Sequence, residues 1–133
     1  KNYTDKENLK LDLNPDSTES ISNSKFLITD WSGIAFEYYI VNNKPILFVN
    51  TPPKVNNKNY TDLLEKPIEI TMREEIGEII NIDEINKLDK QSFDKKITLA
   101  SKKVIENNKF ISKNFYNIGK SVKVICDQIE ELI

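Results

Sequence analysis

The rhythm of apolar and polar positions changes along the chain, and each change predicts a different element. Residues 9–13, LKLDL, alternate apolar with polar, which predicts a short half-buried strand. Pro15 and Asp16-Ser17-Thr18 then supply a turn and a helix N-cap, with Glu19 in the first turn of a short helix running to about Ser24. FLIT, residues 26–29, is an apolar run closed by the β-branched Thr29, the composition of a buried parallel strand. Asp30-Trp31-Ser32-Gly33 interrupts it. IAFEYYIVN, residues 34–42, is apolar nearly all round and predicts a buried helix, which Asn42-Asn43 stops. Pro45 opens the next segment, and ILFVN, residues 46–50, reads as a second buried strand.

Strand, helix and strand in this order form a βαβ unit, which requires parallel pairing and a right-handed crossover. TPPKVNNKNYTDLLEK, residues 51–66, is a long polar loop at the carboxyl end of a strand, a place where loops tend to carry function. PIEIT, residues 67–71, predicts a short edge strand with Pro67 tolerated at its start. From Met72 the pattern is helical: REEIGEII, then IDEINKL, then Ser92 to Asn107, Lys109 to Tyr116 and Gly119 to Ile133. The expected fold class is α/β: a Rossmann-like parallel sheet, half of a doubly wound domain, with C-terminal helices.

At 133 residues the chain is long enough for one domain with a core and too short for two. Its composition, 30% charged and 38% hydrophobic, is that of a globular protein. It has neither a membrane-spanning apolar run nor a signal-peptide pattern, which suits a cytoplasmic protein. The lone Cys126 leaves no internal disulfide or multi-cysteine zinc site, and its place in VKVICDQIEELI suggests a core position. No metal or cofactor is expected. The chain contains no histidine, so imidazole chemistry must come from elsewhere. It does not begin with methionine, and we expect a piece of a longer protein.

Charge is uneven. Residues 90–125 carry nine lysines against Asp94 and Glu106, whereas residues 1–89 carry sixteen acids against ten bases. A basic helical stretch on an acidic chain points to an anionic partner. Lys95, Lys96, Lys102, Lys103, Lys109, Lys113, Lys120 and Lys123 lie in it, with Phe110, Phe115 and Tyr116 between them. They read either as a docking face for an anionic membrane, worth roughly 1 kcal/mol per lysine near the leaflet, or as a solvated face with the aromatics inside. No recognition motif accompanies the charge, so nucleic acid is not the expected partner.

The candidate chemistry sits where FLIT ends. A helix starting at Ser32-Gly33 turns free backbone N–H groups and the positive end of its dipole toward the loop. Gly33 lets an anion approach the backbone, and Ser32 adds a hydroxyl; together they suit a phosphate or diphosphate. Glu37, one turn further on, is a lone carboxylate on an apolar helix and needs a partner or a ligand such as a ribose diol. The plainer reading has Ser32 capping the helix, Gly33 relieving the turn and Asp30 holding the loop by hydrogen bonds. Trp31 either walls the pocket or packs. Lys54 and Asn56 in the following loop, and Arg73 beyond it, reach phosphates in one reading. In the other the loop is solvated and Arg73 pairs with a nearby glutamate.

The stretch LITDWSGIAFEYYIVNNKPILFVNTPPKVNN resembles the signature of the CDP-glycerol glycerophosphotransferase family, enzymes of teichoic-acid and capsule polymer synthesis. Thr29, Asp30, Trp31, Ser32, Gly33, Phe36, Glu37, Lys44 and Pro45 carry the resemblance, which is close over residues 20–60. It continues more loosely through REEIG and NIGKS. Gly33 departs from the second serine common in that family. A broader likeness reaches the non-hydrolysing UDP-sugar 2-epimerases, with Gly33 and Glu37 on matching positions. The resemblance implies the C-terminal, donor-binding lobe of a two-lobed GT-B-type transferase, with the whole of residues 1–133 forming that lobe. Thr29, Asp30, Trp31, Ser32, Gly33 and Glu37 would bind the donor, and the catalytic histidines would lie upstream. The fragment alone would then have no catalytic residue and no turnover.

The implied partners are a nucleotide-linked donor such as CDP-glycerol and a lipid-linked or polymer acceptor. The expected location is the cytoplasm, with peripheral attachment to the inner membrane face if the lysines dock there. Two other functions fit the same residues: a non-catalytic phospholigand-binding or membrane-docking α/β module, and half of a UDP-sugar 2-epimerase.

Overall fold

A computed structural model describes residues 8–53, 59, 62, 66–107 and 109–132. Three parallel strands, β1 (Leu27–Thr29), β2 (Ile46–Asn50) and β3 (Glu78–Asn81), form an open sheet in the order β1-β2-β3. The registers align Ile28 with Leu47 and Val49 with Ile80, so β2 is the central strand. α1 (Thr18–Asn23) precedes the sheet, α2 (Ile34–Asn42) links β1 to β2, and α3 (Ile68–Ile76) leads into β3. After it come α4 (Ile82–Ile85), α5 (Lys90–Glu106), α6 (Lys109–Asn114) and α7 (Ser121–Glu130). The fold is a mixed α/β domain of the Rossmann-like half type.

The period of two along β2 divides the core. Ile46 and Phe48 face a larger cluster with Ala35, Tyr38 and Tyr39 of α2, Met72 and Ile76 of α3, Val104 and Phe110. Leu47 faces the other way, against Ile80 and Ala100, where Leu88, Phe93 and Ile97 add cover. Helices therefore lie on both faces of the sheet. Within α2 the buried Ala35, Tyr38 and Tyr39 stand at i, i+3 and i+4, one stripe of the helix. Asn43 ends α2 in the left-handed conformation, φ 50°, and its N–H returns to the Tyr39 carbonyl. Lys44 donates to the carbonyls of Ser22 and Ser24, tying this turn to α1.

Several expectations are corrected. LKLDL forms no strand, and Leu9, Leu11 and Leu13 are exposed. Successive side-chain turns at Asp12, Asn14 and Asp16 wind this segment into α1, so it pairs with no sheet edge. FLIT does give a parallel strand, but an edge strand: Ile28 is half exposed, while Phe26 is covered by the Phe93 ring. PIEIT is the first half of α3. Its alternating isoleucines imitate a strand, but Ile68, Met72 and Ile76 form a longer i, i+4, i+8 stripe that buries against the sheet. Within REEIGEII the helix stops at Ile76 and Glu78–Asn81 is a strand, because Gly77 ends α3 in extended conformation. α2 is not buried all round: Glu37 and Val41 face solvent. Cys126 is exposed, since no residue of α7 is buried.

Gly77 explains why the chain can turn straight from α3 into β3. A Cβ there would lie 2.6 Å from both the Ile46 carbonyl oxygen and the Phe48 ring. Gly77→Ala is expected to destabilise the fold by about 1–3 kcal/mol through overpacking, measured by urea unfolding. Asp89 caps α5 by accepting the Ser92 N–H at 2.8 Å. Hydrogen bonds from the Ser92 side chain and backbone hold its pKa below the ordinary 3.8. A depressed carboxyl pKa stabilises the fold above the unfolded value and ceases to do so as pH falls through the folded one. Asp89→Ala should accordingly lower the melting temperature at neutral pH, and the difference from wild type should vanish as pH falls below that range.

Candidate functional site

β1 ends at Thr29, and Asp30-Trp31-Ser32-Gly33 carries the chain into α2 across the carboxyl edge of the sheet. Trp31 is half-buried and anchored twice. Its indole N–H donates to the Thr51 carbonyl at 2.8 Å, joining the loop after β1 to the loop after β2. Its ring lies on the Arg73 guanidinium, with Cζ 3.7 Å from the ring centroid. Such a contact is worth about 2 kcal/mol when desolvated.

Arg73 arrives from α3 and is 3% exposed. Its Nη2 donates to the Val49 carbonyl at 3.1 Å, its Nη1 approaches the Asn50 side-chain oxygen at 3.4 Å, and its Cζ is 5.3 Å from the Phe48 ring centroid. Asn50 in turn donates to Asn81 at 3.2 Å, so one polar chain crosses the ends of β2 and β3. Nε of Arg73 is buried with no hydrogen-bond partner. Burial pulls the pKa of Arg73 down, and the field of Asp30 opposes that shift. Among the described residues Arg73 makes no ion pair, so the glutamate partner suggested by the sequence is not found among them. Nor does its guanidinium reach out toward a phosphate; it stands behind Trp31 as a buried cation.

Ser32 and Gly33 are exposed at the start of the nine-residue α2. The Ser32 hydroxyl oxygen accepts the Ile34 N–H only at a long 3.4 Å, so the cap is weak. Gly33 has φ −61° and ψ −19°, angles open to any residue, and nothing lies within 4 Å of where its Cβ would be. The fold therefore does not require glycine here, and the space above it is open. Asp30, Trp31, Ser32, Thr51 and Pro52 line a cleft of about 520 Å³ beside this helix end.

The structure brings Asp30, Trp31, Ser32 and Gly33 together, with Thr29 at the strand end below them. Glu37 stands one turn along α2, exposed and outside the cleft lining, so burial does not compel it to have a partner. Lys54 and Asn56 lie outside the described residues. Lys102, Lys109 and Lys113 are exposed, but Lys103 pairs with Glu78 at 2.7 Å and donates to the Gly77 carbonyl, which removes it from any docking face. Among the described residues no cluster of three metal-ligating side chains occurs, and no helix is long and apolar enough to cross a membrane.

The sequence reading overlooked Thr51, Asn50 and Asn81. A signal for the asparagines was present: ILFVN and EIIN each close an apolar run with Asn, and Asn50 and Asn81 align in register. No protein-family model matches the chain, and neither a curated protein nor a solved structure does so. Fold and site together define an α/β domain with an open helix N-terminus at the carboxyl edge of a parallel sheet.

Removing the buried cation should loosen this edge. Arg73→Ala removes the donor to the part-buried Val49 carbonyl, at about 1–3 kcal/mol where a buried acceptor is so stranded, whereas the exposed Asn50 amide can turn to water. Arg73→Lys keeps the charge but loses the planar stack. We expect both variants to lower the melting temperature followed by circular dichroism, with Ala the more severe.

Proposed function

We propose that the chain is the donor-nucleotide-binding lobe of a transferase that moves a glycerophosphoryl or glycosyl group from a nucleotide-linked donor, CDP-glycerol or similar, to a cell-surface polymer. The observation that carries this reading is Gly33: a glycine that neither backbone angles nor packing demand, at the exposed start of α2. A helix N-terminus offers backbone N–H groups and a positive dipole end, and an absent Cβ lets a phosphate reach them. Its position outside the carboxyl ends of parallel strands is where α/β sheets bind ligands. The buried Arg73 cation adds positive potential behind the cleft.

In glycerophosphoryl transfer an acceptor hydroxyl attacks the phosphorus next to glycerol. A new P–O bond forms, and the bond to the nucleoside monophosphate breaks. Preorganised N–H donors at Ser32 and Gly33 would stabilise the charge gathering on the leaving phosphate. The Ser32 hydroxyl, bound only weakly to Ile34, is free to turn toward that phosphate. Glu37 would offer its carboxylate to a hydroxyl pair of the donor, the ribose diol in the family this chain resembles. The proton acceptor for the attacking hydroxyl would come from outside this histidine-free chain. Through its exposed lysines the lobe would sit near a membrane that carries lipid-linked acceptor.

The test is an amide-resolved NMR titration with CDP, UDP, GDP and inorganic phosphate. Saturable shifts at Ser32 and Gly33 are expected, weakened in Glu37→Ala for the nucleotides and unchanged for phosphate. Gly33→Val should abolish them while leaving the melting temperature near wild type, because the added side chain projects into open space. Undisturbed Ser32 and Gly33 amides at millimolar nucleotide would refute the reading.

A further inference from the structure

The cleft holds an aromatic ring that is fixed before any ligand arrives. Trp31 cannot swing freely: its indole N–H is bonded to the Thr51 carbonyl, and one ring face is covered by the Arg73 guanidinium. Arg73 is itself locked by Val49, Asn50 and Phe48. Yet Trp31 is only half-buried and lines the open cleft with Thr51 and Pro52. A large ring held at its edge and on one face, and lining a cleft, is preorganised for a flat ligand, because the entropy of ordering it is already spent in folding. The adjoining residues, Ser32 and Gly33, present the anion-binding helix end.

We infer that Trp31 is a stacking platform for the base of the bound nucleotide, with Arg73 as the positioning residue that sets the ring. This rests on the reading of Ser32-Gly33 as a phosphate site and adds where the rest of the ligand goes. With the phosphates at Gly33 and the ribose within reach of Glu37, the base can lie along the exposed flank of α2 or fold back across the cleft. Only the second offers an apolar wall, and bases stack on aromatic side chains largely irrespective of base identity. The cation behind Trp31 draws electron density from the ring, which suits a neutral π-system on its open side and disfavours a second cation. The ligand class is thus a nucleoside diphosphate carrying its base, in preference to a sugar phosphate or free diphosphate.

The experiment compares CDP and GDP with ribose 5-phosphate and inorganic pyrophosphate on the 133-residue chain, by NMR. Base-bearing ligands should bind about tenfold tighter or better, a difference of about 1.4 kcal/mol. Their base protons should move upfield in the ring current of Trp31 and show cross-relaxation to its ring protons. Arg73→Lys, which keeps the charge but not the planar stack, should weaken CDP and GDP by a larger factor than pyrophosphate, a selectivity that general loosening of the site would not produce. If Ser32 and Gly33 respond equally to pyrophosphate and CDP with no contact to Trp31, the platform is refuted and the phosphate site stands. If no ligand moves Ser32 or Gly33, both fail together. The wild-type comparison needs no variant, so poor folding of Arg73→Lys would not rescue the inference.

Discussion

A guanidinium taken almost wholly out of water must be compensated by its surroundings, since even after relaxation an isolated buried ion costs several kcal/mol. Arg73 finds that compensation in a backbone carbonyl at the end of β2, a side-chain amide on the same strand and the face of an indole from the loop after β1. The two acceptors come from β2, the indole from the loop after β1 and the cation from α3, so satisfying one cation fixes the mutual placement of α3, β2 and the Asp30–Gly33 turn. The cleft exists because these partners converge. Hydrophobic packing explains the two faces of the sheet, but it has no directional reason to bring Trp31 over α3.

The first βαβ unit was legible because its punctuation is chemical. Gly33 and Ser32 at the start of α2, Asn43 at its end and Pro45 before β2 mark boundaries that propensity alone would blur. The second unit was not, because local and longer patterns conflict there. Ile68 and Ile70 alternate like a strand over a few residues, whereas the stripe of Ile68, Met72 and Ile76 appears only across the whole of α3. Gly77 then ends the helix for a tertiary reason, the closeness of Ile46 and Phe48, which no local window contains. LKLDL failed for a related cause: alternation is necessary for a strand, but a strand also needs a neighbour to pair with.

The site was legible as a cluster and less so in its roles. Residues consecutive in sequence, Asp30 to Gly33, were bound to be neighbours in space. What sequence could not supply was the contact between Trp31 and Arg73, more than forty residues apart. That contact moves Arg73 from a surface cation able to touch phosphate to an interior one that shapes a wall. Likewise the case for Glu37 weakened once α2 proved to have a solvent face, because an exposed carboxylate is satisfied by water. Lys103 shows the same limit: a run of lysines cannot reveal which member is held by Glu78.

The anchoring of Trp31 has an optical consequence. It is the only tryptophan in the chain, so indole emission from this protein comes from the cleft and from nowhere else. A cation against one face and a hydrogen bond at the edge give the excited state a defined environment. Changes in its colour or intensity would therefore report on a single place, where the loops after β1 and β2 meet α3, without any label being attached.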